Sequence, residues 1–174
     1  MEALHIVIEV ILIAIIVFLC YDPSLGMFNR SGGRLLVLLL AVPCMLIGAT
    51  LVFADVNRLK KINEVTGNHL LTNKLLKGGF RVRRGEWAWQ IFGDELGFLI
   101  WGDGALLVAR LTRQLADQPL TLVQRRVLAD ADGVSVEDAH LSATFAIVTD
   151  VRHIGRALSD GSADVLKQKA ERDA

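Results

Sequence analysis

Inside the first apolar stretch, MEALHIVIEVILIAIIVFLC, stand two ionisable residues four apart, His5 and Glu9. On a helix that spacing puts both on one face. An ionisable side chain in a membrane span faces protein or water, and marks an ion or proton path or a buried partner. Two readings follow for Glu9. It accepts a hydrogen bond from Thr50, or pairs with His5 or a snorkelling Arg58; or it rings a pore in an oligomer and meets cations. His5, Glu9 and Thr50 are therefore the candidate intramembrane polar set.

Other chemistry-bearing residues are sparser. Asp94, Glu95 and Asp103 lie near two Gly-containing turns. Paired carboxylates can bind a divalent cation or move protons, but Asp and Gly are also what tight turns require. Asp130-x-Asp132-Gly133 resembles part of a calcium loop. With that Gly at the sixth position, however, the first is Leu128 and the twelfth Ala139, where carboxylates are needed. His5, His69, His140 and His153 show no zinc spacing, and GxSxG, P-loop and GxGxxG patterns are absent. Hence no catalytic residue, metal ligand or cofactor is assigned. An enzyme anchored to the membrane and using Asp94, Glu95 or Asp103 stands only as a second alternative.

Basic residues cluster just after the second apolar run, with Arg58, Lys60 and Lys61 first and Arg81, Arg83 and Arg84 further on. Beside a bilayer such a cluster attracts anionic headgroups, about 1 kcal/mol per charge. These six are the candidate lipid-headgroup or partner contacts. Phe80, Trp87, Trp89, Phe92, Phe98 and Trp101 crowd the same region. Aromatics among cations can fill a small core, sit at a membrane or subunit interface, or stack on bases. The core reading leads, and nucleic acid is not expected as a partner.

The elements that would position these residues follow from hydropathy. Hydrophobic residues make up 52% of the 174, above the usual 45–50% or so, and the excess is local. Leu4 to Cys20 and Leu35 to Ala54 are each close to the roughly 17–25 residues that cross a bilayer. No Lys or Arg precedes the first run and Cys20-Tyr21-Asp22-Pro23 is a poor cleavage site, so a span is favoured over a signal peptide. The basic cluster after the second run puts both termini on the cytoplasmic side. Ala41, Cys44 and Gly48 put small side chains on one face of the second span, the candidate helix-packing face. Cys20 and Cys44 lie at different depths, so no disulfide is expected.

Beyond the second run a helical stalk is expected over 56–79, interrupted at Thr66-Gly67-Asn68. Trp87, Trp89 and Ile91 alternate with Ala88 and Gln90, and Leu96 to Trp101 is a short apolar run; turn clusters at 92–94 and 101–104 bracket the second strand. Ala105 to Leu115 reads as a helix capped by Asp103. Thr121 to Ala129 is ambiguous. Ser135 and Asp138 suggest a capping box, while Thr144 to Val151 reads as helix or strand.

The expected fold is a membrane protein: an N-terminal two-helix transmembrane hairpin (residues 1–55, spans 4–20 and 35–54), a stalk (56–79) and a small cytoplasmic α+β domain (80–174). The expected function is a non-catalytic subunit of the inner or plasma membrane that oligomerises or scaffolds a complex. Its partners are the lipid bilayer and a homo-oligomer or larger membrane complex. The alternative is a ligand-gated oligomeric channel or membrane-disrupting effector.

Overall fold

The computed structural model describes residues 19–22, 27–29, 31–33, 35, 49–67, 69–149, 161, 163–165 and 167–168. His5, Glu9, Ala41, Cys44 and Gly48, and nearly all of the first apolar run, lie outside them.

The second apolar run ends in a strand. Thr50–Val56 forms β3, with all seven residues buried. Its side chains alternate: Val52, Ala54 and Val56 enter one core, Leu51 and Phe53 another. When both faces of a strand are covered, the period of two disappears from the hydropathy and a continuous apolar run remains. Such a run resembles the end of a membrane helix because burial in protein and burial in lipid select the same side chains. Phe53 is 2% exposed and Leu51 and Val52 are 0% exposed, all sequestered by protein alone.

β3 lies in a six-stranded sheet of order β1-β2-β4-β5-β3-β6. The other strands are β1 (Tyr21–Asp22), β2 (Met27–Phe28), β4 (Trp87–Phe92), β5 (Glu95–Ile100) and β6 (Ala143–Val148). β3 pairs antiparallel with β5 and β6, β4 with β5, and β1 with β2; β2 joins β4 in parallel at Phe28 and Trp89. The helices are α1 (Leu59–Thr66), α2 (His69–Gly79), α3 (Gly104–Ala116) and α4 (Leu122–Asp132). Leu59 and Ile62 of α1, Leu75 and Leu76 of α2, Leu107, Leu111 and Leu115 of α3, and Leu128 of α4 all enter the core with Val52, Leu96 and Phe98. The opposite sheet face gathers Leu51, Phe53, Trp89 and Leu99 under Val165.

The membrane reading is corrected by this arrangement. Among the described residues no helix is long and apolar enough to cross a membrane. The 35–54 span cannot be a helix to its end, and the helix does not run on into a stalk: β3 stops at Val56 and α1 begins at Leu59. The two-helix hairpin as fold class, the integral-membrane localisation with both termini cytoplasmic, and the lipid bilayer as partner all took both apolar runs to be spanning helices, and the second is not. Residues of the expected hairpin instead supply three strands of the sheet.

Smaller expectations fare variously. Gly67 ends α1 at φ 62° with its N–H on the Asn63 carbonyl at 2.8 Å. Asp103 caps α3, accepting from the Ala105 N–H at 2.8 Å. The ambiguous 121–129 segment is α4, closed by a capping box between Thr121 and Gln124. Ser135 and Asp138 do bond to each other at 2.6 Å, but no helix follows them. Residues 143–148 are a strand, whose edge position lets partly exposed residues such as Ile147 survive.

Candidate functional site

The β4–β5 hairpin turns at Gly93-Asp94, where Gly93 holds φ +52°. That left-handed conformation costs a residue with a Cβ roughly 1–2 kcal/mol. The Gln90 amide closes the turn by donating to the Gly93 carbonyl at 2.8 Å. The register then sets Glu95 directly opposite Asp55 on β3, and Val56 N–H donates to the Asp94 carbonyl at 3.2 Å. The register thus brings the backbones of Asp55, Asp94 and Glu95 to one end of the sheet. Asp55 is 1% exposed.

Beside the turn lies a groove of about 560 Å³, lined by Lys60, Asn63, Glu64, Asn73, Gln90 and Asp94 among others. Its size falls within the roughly 300–1,000 Å³ of small-molecule sites. Its wall mixes amides, carboxylates and one lysine, a donor and acceptor set suited to hydrogen-bonding the edge of a polar heterocycle. Lys60 also reaches Glu64 at 3.9 Å across one helical turn.

The link from β3 into α1 is tied down on three sides. Asn57 donates its N–H to the Ser142 carbonyl at 2.9 Å and its side-chain amide to Ser142 Oγ at 2.8 Å. Thr144 Oγ1 donates to Asn57 Oδ1 at 3.1 Å. Arg58 takes φ 60°, alone among the described non-glycine residues in doing so. Its Nε donates to Asp132 Oδ1 at 3.0 Å, and its terminal nitrogen to the Ala131 carbonyl at 3.4 Å.

A second groove, about 710 Å³, opens between the 83–86 loop and α3. Arg83, Arg84, Arg110 and Arg113 line it together with Glu86 and Trp101. Glu86 accepts from the Arg83 N–H at 2.7 Å and pairs with the Arg110 guanidinium. The Trp87 and Trp101 rings meet edge to face at 5.2 Å. Arg110 Nε and Trp101 Nε1 are buried with no hydrogen-bond partner. A buried donor left unsatisfied costs about 1–3 kcal/mol.

The sequence-derived residues therefore scatter. Thr50 is buried in β3 and donates to the Gly102 carbonyl at 2.9 Å. Arg58 serves the β3–α1 link, Lys60 the first groove, and Arg83 and Arg84 the second. Lys61 and Arg81 are exposed. Asp94 and Glu95 come together with Asp55; Asp103 sits elsewhere as a helix cap. Among the described residues no three His, Cys, Asp or Glu converge closely enough to hold a metal ion. Sequence reasoning missed Asn63, Asn73, Arg110 and Arg113. The last two are three apart on α3, so they share a face, which was the available signal.

No family model matches the chain, and no curated protein matches its sequence. Solved structures match its fold. The diguanylate cyclase SiaD of Pseudomonas aeruginosa, solved in complex with its activator SiaC, is similar at TM-score 0.70 and 15% identity over 98% of this chain; the match spans 65% of the SiaD chain. The coiled coil and GGDEF domain of DgcB from Caulobacter crescentus, in complex with c-di-GMP, gives 0.62 and 10% over 98% of this chain and 91% of that one. A sensory box/GGDEF family protein from Caulobacter crescentus CB15 gives 0.64 and 18% over 87% and 99%. At these identities the likeness gives the fold, a GGDEF-like α+β domain. That fold overturns the expected membrane scaffold, and with it the channel or membrane-disrupting alternative: the second apolar run, taken for an anchoring helix that leads into a stalk, ends in a strand of the sheet, while Glu9 lies outside the described residues.

Proposed function

We propose that this chain handles guanine nucleotides in cyclic di-GMP metabolism, as a module of diguanylate cyclase type with its nucleotide site in the groove beside the β4–β5 turn. The observation that carries the reading is the turn itself. The letters GGDEF read as Gly-Gly-Asp-Glu-Phe, and the turn here runs Phe92-Gly93-Asp94-Glu95-Leu96, agreeing at its three central residues. Glu95 of that turn pairs with Asp55 on β3, on a fold similar to that of the cyclases.

The chemistry of such a module joins two guanylates. In each of two steps a ribose hydroxyl oxygen attacks the α-phosphorus of the other GTP, the P–O bond to pyrophosphate breaks, and the hydroxyl proton passes to a base. Asp94 or Glu95 can take that proton. One groove per chain holds one nucleotide, so joining two requires a second copy of this chain as partner. The test is to incubate the full chain with radiolabelled GTP and resolve the products. Cyclic di-GMP is expected. Glu95→Gln should cut the rate a hundredfold or more without lowering the melting temperature. Absence of both turnover and GTP binding at millimolar nucleotide sinks the reading.

A second reading has its own support. The arginine groove suits the product, because guanidinium forks match phosphate oxygens bidentately and Arg83, Arg84, Arg110 and Arg113 line it. Cyclic di-GMP binding measured by calorimetry should weaken at least tenfold in the Arg83→Ala, Arg84→Ala double variant while GTP binding stays unchanged. Equal affinity in the variant removes the groove as the site.

A further inference from the structure

We propose that Arg58 is a positioning residue for the groove beside the β4–β5 turn, and that Asp132 at the end of α4 is its anchor. The proposal rests on the nucleotide reading of that groove for its functional half only. Arg58 separates Asn57, the first residue after β3, from Leu59, the first residue of α1 and a lining residue of the groove. Its backbone is in a left-handed conformation that long side chains rarely adopt. Glycine or asparagine would adopt it more readily, so what an arginine adds at this position is its side chain and not its backbone. That side chain crosses to α4, seventy-four residues further along, and holds Asp132 and the Ala131 carbonyl. The pair is only partly exposed, 22% for Arg58 and 37% for Asp132, so solvent does not fully screen it.

The neighbouring bonds carry the constraint onward. Val56, just before the link, donates to the Asp94 carbonyl in the hairpin turn. Asn57 fixes the loop before β6 through Ser142 and Thr144. The link, the turn and the end of α4 therefore form one braced unit whose free face is the groove. A push on α4 reaches Asp94 through Asp132, Arg58 and Val56.

The experiment compares the full chain with Asp132→Asn, Arg58→Gly, and the reversed pair Arg58→Asp with Asp132→Arg. Aspartate tolerates the left-handed conformation, and an arginine suits a helix C-terminus. Hydrogen exchange is followed without nucleotide over 56–62 and 92–96, with β5 as the internal control, and GTP affinity is measured separately. Both single variants should exchange about tenfold faster in those two segments and not in β5, with GTP affinity down by a similar factor; the reversed pair should restore both. Arg58→Gly relieves the backbone, so a purely conformational role would leave its exchange unchanged or slower, and that result overturns the proposal. Unchanged exchange at 92–96 in Asp132→Asn overturns it too, whether or not GTP binds. Faster exchange with undiminished GTP affinity overturns the positioning role. If the native chain binds no GTP, the nucleotide reading fails, and the exchange data alone decide the brace.

Discussion

At the scale of single residues, two glycines of one hairpin are required for different reasons. Gly93 has open space around a would-be Cβ but sits at φ +52°. Gly97 has an ordinary backbone angle, yet a methyl group there would overlap the Trp89 indole. Gly93→Ala should therefore cost roughly 1–2 kcal/mol through backbone strain. Gly97→Ala should cost about 1–3 kcal/mol through overpacking, and only it should move the tryptophan near-UV signal. Urea denaturation with circular dichroism separates the two, and an unchanged near-UV spectrum in Gly97→Ala refutes the second.

At the scale of elements, two of the helices add side-chain caps at their N-termini to the burial of their apolar faces. α3 begins on the Asp103 cap and α4 on the Thr121–Gln124 box. Each cap satisfies backbone N–H groups that no intrahelical carbonyl can reach. Asp103→Ala and Thr121→Ala should each cost about 1 kcal/mol. The caps share no partner, so the double variant should cost the sum to within about 0.5 kcal/mol. A clearly smaller sum in chemical denaturation would show that the two helices fray as one unit.

At the scale of the whole molecule, one sheet separates two apolar layers, and the thicker one carries the helices. Phe98 lies at the centre of that layer, 0% exposed and 5.7 Å from the Phe80 ring. Phe98→Ala should cost about 3–5 kcal/mol, a large share of the roughly 5–15 kcal/mol that holds a domain folded. Leu106 is 71% exposed, and Leu106→Ala should stay within about 0.5 kcal/mol. Thermal melts of the two variants check the contrast; equal shifts would mean that the core is not where the sheet and helices put it.

The local rules written in the sequence determined much of this. The hairpin with its Gly-Asp turn, the Asp103-capped helix and the Gly67 stop depend on residues within a few positions of one another, so their spacing is legible directly. The nearness of Asp94 and Glu95 was legible too. Asp55 opposite Glu95, Arg58 on Asp132, and four arginines around one groove depend on pairings across tens of residues, which no spacing encodes. The membrane misreading has the same origin. Hydropathy records only that a residue leaves water, and a strand covered on both faces leaves water as completely as a helix in lipid. Only the tertiary structure, by placing Thr50–Val56 between β5 and β6, decides that protein covers that segment.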